Sequence, residues 1–176
     1  MKIIKSTKEL KNTLRKFRGK QIGFVPTMGA LHKGHISLIE KSASENDITV
    51  VSIFVNATQF NNAEDLEKYP TQLNSDIKVL ENQEIDYLFL PNFDELYPDN
   101  YKYKIEETEL SKILCGVSRN GHFTGVLTVV MKLLNIVNPS KAYFGEKDYQ
   151  QLLTIRRLVS DLDIPVRILT APIMRE

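Results

Sequence analysis

Short apolar runs rich in β-branched residues alternate along this chain with segments of helical periodicity, and this alternation limits the possible folds more than any other feature. The run from Ile48 to Val55 is the longest, and its composition is typical of a central strand in a parallel sheet. Further strands are predicted at 22–25, 86–90, 141–144 and 165–169. Because helices are predicted between them, the sequence indicates an α/β fold: a parallel sheet with helices on both faces.

The helical segments have recognisable boundaries. The first begins at a capping box, Ser6 to Glu9, continues through Leu10 and Leu14, and is expected to end at Gly19. The other predicted helices lie at about 36–44, 71–83, 121–137 and 149–161. A short strand is predicted at 102–105 and a short helix at 109–114, whereas 91–101 is predicted to be irregular and 56–69 to be a long functional loop.

Charge and composition exclude several classes of function. The chain has 176 residues, enough for one domain, and its net charge is +1, so no overall field favours nucleic acid or an anionic membrane. The single cysteine, Cys115, excludes an intrachain disulfide and a cysteine-based metal site. No apolar segment approaches the ~20 residues of a membrane span, and the N-terminus has no signal-peptide pattern. We therefore expect a cytoplasmic protein.

Two of the three histidines, His32 and His35, lie three residues apart between a predicted strand and a predicted helix. This position corresponds to the carboxyl end of a strand, where open α/β sheets bind ligands. The helix N-terminus adds backbone N–H groups that suit phosphate, and two imidazoles there can stabilise a phosphoryl transition state. The pattern favours a nucleotide-activating site of the H-x-x-H type. The alternative is a capping histidine beside a core histidine.

Two further loops follow predicted strands. Asn56 and Gln59 come after the strand at 48–55, where their amides can orient a polar substrate; the alternative is simple turn capping. The run from Gly145 to Asp148 follows the strand at 141–144, where a lysine and two carboxylates can bind polyphosphate, ribose and a metal. A solvated charged turn is the alternative there, and spacing alone does not decide between the two.

His122 and Asp76 are the remaining candidates from residue type. His122, near the start of the helix at 121–137, can contact a ligand or orient a neighbouring amide, although a structural histidine is the alternative. Asp76 can reach a magnesium ion, although most helical aspartates face solvent. No P-loop motif and no G-x-G-x-x-G motif is present, so a classical glycine loop is not indicated.

These segments, taken together and in order, resemble the pantoate–β-alanine ligase family over nearly the whole chain. The matching runs are residues 23–32 with Gly34 and His35, 52–56 with Gln59 and Phe60, Tyr69–Pro70, 121–123 with 125–126 and 128–130, and 144–151. The run that begins Pro26-Thr27-Met28-Gly29 and the run 144–151 are specific to this family. The resemblance implies a Rossmann-like sheet of the nucleotidylyltransferase type.

The resemblance also implies a reaction: ATP and pantoate form pantoyl adenylate, which β-alanine then converts to pantothenate. It assigns His35 and His32 as catalytic, Gln59 and Gln151 to pantoate, and Gln59 also to β-alanine. The implied ATP-binding residues are Met28, Gly29, Ala30, Leu31, His32, Lys33, Gly34, His35, Gly145, Glu146, Lys147, Asp148 and Met174. Implied supporting residues are Pro26, Asn56, Arg119 and His122. Mg²⁺, with Asp76 as a ligand, and a homodimer complete the expectation.

The chain departs from the family pattern in a few places, such as Ala57 and Asn120, where the family usually has proline. By resemblance, residues 1–176 are expected to be an N-terminal nucleotide- and pantoate-binding domain whose C-terminal lid domain is absent, and hence weakly active or inactive alone. Two alternatives remain: another nucleotidylyltransferase, or a non-catalytic binding or assembly module.

Overall fold

The computed structural model of the chain describes residues 1–112 and 121–171. Within these residues the strands form one sheet in which every pairing is parallel, in the order β1-β4-β3-β2-β5-β6. The strands are β1 (Lys2–Ile4), β2 (Ile22–Thr27), β3 (Ile48–Ile53), β4 (Tyr87–Phe89), β5 (Lys141–Gly145) and β6 (Arg167–Ala171).

Helices connect the strands. They are α1 (Thr7–Leu14), α2 (Lys33–Glu45), α3 (Ala63–Glu67), α4 (Leu73–Glu81), α5 (Phe93–Leu96), α6 (His122–Val137) and α7 (Tyr149–Asp161). Short 3₁₀ turns span Arg15–Phe17, Ala57–Gln59 and Leu110–Lys112.

Both faces of the sheet are covered by apolar side chains from helices, because neighbouring strand residues point to opposite faces. In β2, Phe24 packs into the cluster formed with α1, α6 and α7, whereas Val25 packs into the cluster formed with α2 and α4. Val50 and Val51 of β3 divide in the same way. The predicted α/β fold with helices on both faces is therefore confirmed.

The predicted strands and longer helices are present, with boundaries that move by a few residues. The prediction of a strand at 102–105 is wrong, because these residues pair with no strand. Four short elements were not predicted: β1, the 3₁₀ turn Ala57–Gln59 and α3 inside the predicted loop 56–69, and α5 inside 91–101. The helix predicted at 109–114 is a 3₁₀ turn over Leu110–Lys112, and its last two residues lie outside the described part of the chain.

The sheet order changes direction beside β2, and this creates a crevice. Strands β3, β4 and β1 lie on one side of β2, whereas β5 and β6 lie on the other. β2 pairs with β3 along its whole length but with β5 only at Gly23 and Phe24. The carboxyl ends of β2 and β5 therefore separate, and open α/β sheets bind ligands at this kind of switch point.

Candidate active site

A cavity of about 350 Å³ lies where β2 and β5 separate. Its walls come from the loops after β2, β3 and β5 and from one face of α6. Most of the predicted site residues meet in it: Pro26, Met28, His32, Gly34, His35, Asn56, Gln59, Gly145, Glu146, Lys147, Asp148 and Gln151. Segments far apart in sequence thus contribute to one site.

The turn after β2 has an unusual backbone that a buried carboxylate stabilises. Gly29 and Ala30 have φ angles of 85° and 51°, in the left-handed region, which costs an alanine roughly 1–2 kcal/mol. Asp76 of α4 compensates, because its Oδ2 accepts from the Ala30 N–H at 2.9 Å and its Oδ1 from the Leu31 N–H at 2.8 Å. Only 3% of Asp76 is exposed. This aspartate therefore shapes the turn that leads into His32.

His32 and His35 cap the start of α2 reciprocally. Nδ1 of His32 accepts from the Gly34 N–H at 3.1 Å, and Nδ1 of His35 accepts from the His32 N–H at 3.3 Å. A nitrogen that accepts carries no proton, so each neutral ring carries its proton on Nε2. The rings lie 4.1 Å apart, centroid to centroid, and both line the cavity. The pair therefore offers two N–H donors to a ligand while its other nitrogens close the helix end.

Burial is the largest of the effects that lower the pKa of His35 to about 4; the neighbouring His32 and Lys147 act in the same direction, and Asp76 opposes them. At neutral pH His35 is thus a neutral hydrogen-bond donor. Such a donor can stabilise charge that develops on phosphoryl oxygens without giving up its proton.

The turn that carries Gln59 packs closely against α6. His122 Nδ1 lies 2.9 Å from the carbonyl oxygen of Gln59, which can only accept, so His122 donates from Nδ1. A Cβ at Gly125 would lie 2.5 Å from the carbonyl oxygen of Thr58 and 2.7 Å from backbone atoms of Gln59, so only glycine allows this approach. His122 thus orients the Gln59 backbone, not the Gln59 side-chain amide.

The loop after β5 places charged groups at the mouth of the cavity. Lys147 and Asp148 are exposed and line it, and Asp148 is the N-cap residue of α7. Glu146 accepts from the Thr170 hydroxyl at 2.7 Å, so this carboxylate also joins the loop to β6. Of the predicted ligand groups here, Lys147 and Asp148 are the most accessible.

Several predicted residues lie elsewhere. Gly29 lines a neighbouring cavity, and Ala30, Leu31 and Lys33 line none of the described cavities. Arg119 and Met174, like Cys115 and Asn120, lie outside the described residues. The predicted magnesium role of Asp76 is not supported by its contacts, because both of its oxygens accept from backbone N–H groups. No group of three or more His, Cys, Asp or Glu able to hold a metal occurs in residues 1–112 and 121–171.

The sequence analysis missed three contributors to the site: Tyr69, the apolar wall formed by α6, and Tyr97. Tyr69 lines the main cavity and also an adjoining one, and the apolar wall includes Val126 and Val130 of α6. Tyr97 reaches the site from beneath, where its hydroxyl donates to Asn56. The helical periodicity of α6 predicted its burial but not which face meets a ligand.

Among the described helices, none is long and apolar enough to cross a membrane.

The parallel sheet, the switch-point cavity and the reciprocal histidine cap define a Rossmann-like α/β protein of the nucleotidylyltransferase type. Residues 2–176 match the family model described as pantoate-beta-alanine ligase. The chain therefore belongs to the pantoate–β-alanine ligase family, as the resemblance predicted.

Relatives support the same assignment. The pantothenate synthetases of Thermosipho africanus and Pseudothermotoga lettingae are 53% and 54% identical to this chain over 178 and 177 residues. All of the chain matches, but it spans only 64% and 63% of their lengths. The crystal structure of the Francisella tularensis pantoate-beta-alanine ligase, complexed with beta-gamma ATP and beta-alanine, superposes with a TM-score of 0.97 at 49% identity. The superposition covers 100% of this chain and 68% of the Francisella tularensis chain.

Proposed function

We propose that this chain carries the nucleotide- and pantoate-binding part of an enzyme that condenses pantoate with β-alanine through a pantoyl-adenylate intermediate, using ATP. One observation carries the proposal: the reciprocal His32–His35 cap faces the same cavity as Gln59 and Gln151. N–H donors suited to phosphate oxygens and amides suited to a carboxylate therefore line one cavity, which supports a reaction between a nucleotide and a carboxylic acid.

In the first step a carboxylate oxygen of pantoate attacks the α-phosphorus of ATP. The bond to the β-phosphate oxygen breaks, and pyrophosphate leaves. The Nε2–H groups of His32 and His35 are proposed to donate to phosphate oxygens as their charge grows, and Lys147 to attract the polyphosphate. Gln59 and Gln151 are proposed to hold pantoate. Each contribution is positional or electrostatic, which suits the neutral state of His35.

In the second step the uncharged amine of β-alanine attacks the acyl carbon of the adenylate. An amide forms, the amine loses a proton, and AMP leaves with the bonding electrons. Gln59 is proposed to bind β-alanine as well, since it lines both the cavity that holds the histidine pair and an adjoining cavity of about 680 Å³. The adenylate is a mixed anhydride and needs protection from water. The apolar face of α6 forms one wall of the cavity and helps to exclude water from it.

Mg²⁺ is proposed to accompany ATP as an ion bound by the phosphates and water, its usual mode with nucleotides. The contacts of Asp76 do not fit a ligand role, so no step is assigned to a protein-bound metal. Asp148 is proposed to contact the ribose. A homodimer is proposed from family membership, and sedimentation at micromolar concentration is its test, with a monomer alone as the contrary result.

Pyrophosphate release, measured with and without pantoate, tests the proposal. Release that depends on pantoate and is followed by AMP formation on adding β-alanine supports it. Pyrophosphate released with another acceptor, with the nucleotide kept on the product, would favour a different nucleotidylyltransferase. Pantoate binding without pyrophosphate release, even in a protein that contains this chain and has the full length of its relatives, would favour a non-catalytic binding module.

A further inference from the structure

The side chain of Asn56 is buried beneath the cavity, and its neighbours determine which way its amide faces. Its exposed fraction is 1%. One end of the amide lies 3.1 Å from the carbonyl oxygen of Gly125, which can only accept, so this end is the NH₂ group. The other end is the carbonyl oxygen, and it accepts from the hydroxyls of Thr58 at 2.9 Å and Tyr97 at 3.2 Å.

The hydroxyl of Tyr97 keeps its proton under all physiological conditions. Burial raises the pKa of Tyr97 to about 12, and only 2% of the residue is exposed. Its ring packs against Phe93 and Tyr101, with centroids 4.9 and 5.1 Å away. Tyr97 is thus a fixed donor toward Asn56, on a ring that cannot easily move.

The orientation of the Asn56 amide determines the orientation of the Gln59 amide. The NH₂ group of Asn56 also lies 3.3 Å from one end of the Gln59 amide, so this end must be the oxygen, Oε1. The Gln59 NH₂ group then faces the other way, 3.0 Å from the sulfur of Met28 on the cavity wall. Thioether sulfur is a weak acceptor. The NH₂ group therefore keeps strong donor capacity for a ligand oxygen.

We infer that Asn56, fixed by Gly125, Thr58 and Tyr97, is a positioning residue that holds the Gln59 amide with its NH₂ group toward the cavity, so that this position selects a substrate with an acceptor oxygen there. A free glutamine can rotate and offer either end to a ligand, whereas this one offers a donor. The inference rests on the proposed function and refines it: Gln59 favours the carboxylate form of pantoate over an analogue with a primary amide in that place.

Asn56→Leu removes the donor to Gln59 Oε1 at similar side-chain size. In the unliganded wild type, NMR should show a nuclear Overhauser contact between the Gln59 NH₂ hydrogens and the Met28 methyl group, and Asn56→Leu should lose it. Pantoate affinity should fall about 10-fold, the scale of one hydrogen bond to a charged group. Affinity for pantoamide should change less, because its amide can pair with either end of Gln59.

Equal losses for pantoate and pantoamide would indicate a merely structural role and overturn the inference, as would an unchanged contact in Asn56→Leu. If this variant does not fold, Tyr97→Phe serves instead, since it keeps the ring and removes one donor to Asn56. It should weaken the Met28 contact and the preference for pantoate, whereas Tyr101→Phe should not; identical results for the two would also overturn the inference. Wild type that shows the contact but binds no pantoate refutes the proposed substrate and leaves the orientation intact.

Discussion

The carboxylate of Asp76 accepts a hydrogen bond from the backbone N–H of Ala30 at 2.9 Å, across 46 residues of sequence. Ala30 has a positive φ angle, which L-residues rarely adopt, and Gly29 before it has another. The same carboxylate accepts from Leu31. A buried acid on one helix thus stabilises a strained turn whose next residue is the N-cap histidine of another helix.

Asp76→Asn should weaken this turn, because an amide retains one acceptor and presents its NH₂ group to a backbone donor. We expect a loss of about 1–3 kcal/mol in the free energy of unfolding, the usual cost of an unsatisfied buried donor, and weaker binding of an ATP analogue. Urea unfolding and calorimetry measure the two. Glu81→Gln, an exposed change on the same helix, should leave both unchanged. Equal stability for the two variants would contradict the assigned role.

The low pKa of His35 makes the stability of the fold depend on pH. The unfolded chain binds a proton at His35 near pH 6.5, whereas the folded chain binds it only near pH 4. The contribution of His35 is therefore complete above pH 6.5 and is lost as the pH falls toward 4, by no more than about 3 kcal/mol. NMR titration of the His35 ring should give a midpoint near 4. In His35→Asn the acid sensitivity in this window should shrink, and a wild-type midpoint near 6.5 would refute the prediction.

Gly125→Ala should push the Ala57–Gln59 turn away from α6. The added Cβ would lie within 2.7 Å of backbone atoms that have no flexible end to move. We expect a loss of about 1–3 kcal/mol in unfolding free energy and weaker pantoate binding through displacement of Gln59. Gly145→Ala is the control for stability, since its Cβ would meet no atom within 4 Å. If both variants unfold at the same urea concentration as wild type, the close approach is not required.

Local signals in the sequence account for the sheet and the histidine pair. β3 is recognisable from its β-branched residues, and the strand–turn–helix around His32 needs only neighbours in sequence. β1 escaped prediction because it is three residues long and is held by β4, with Lys2 opposite Tyr87. The residues that hold the site residues in place also depend on contacts between distant parts of the sequence. Tyr97 contacts Asn56 although the two are 41 residues apart in sequence, and no local sequence pattern predicts such a contact.

Capping and ligand contact by His32 are separable, because they use different atoms. The ring nitrogen Nδ1 accepts from Gly34, whereas the Nε2–H remains for phosphate. Asparagine is among the preferred N-cap residues because its side-chain oxygen accepts from the same backbone donors. His32→Asn should therefore keep the helix start and lose only the donor to the ligand.

We expect His32→Asn to unfold within ~0.5 kcal/mol of wild type and His32→Ala to lose about 1 kcal/mol. Both should slow pantoate-dependent pyrophosphate release roughly 100-fold, the scale for removing one aligned donor from a developing charge. Because His32 lowers the pKa of His35, either change should raise that pKa above about 4. Urea unfolding, the release assay and NMR titration give three independent readings. Release at the wild-type rate in His32→Asn, with the His35 titration shifted as expected, would show that this histidine caps the helix and tunes its neighbour but does not contact the reacting phosphate.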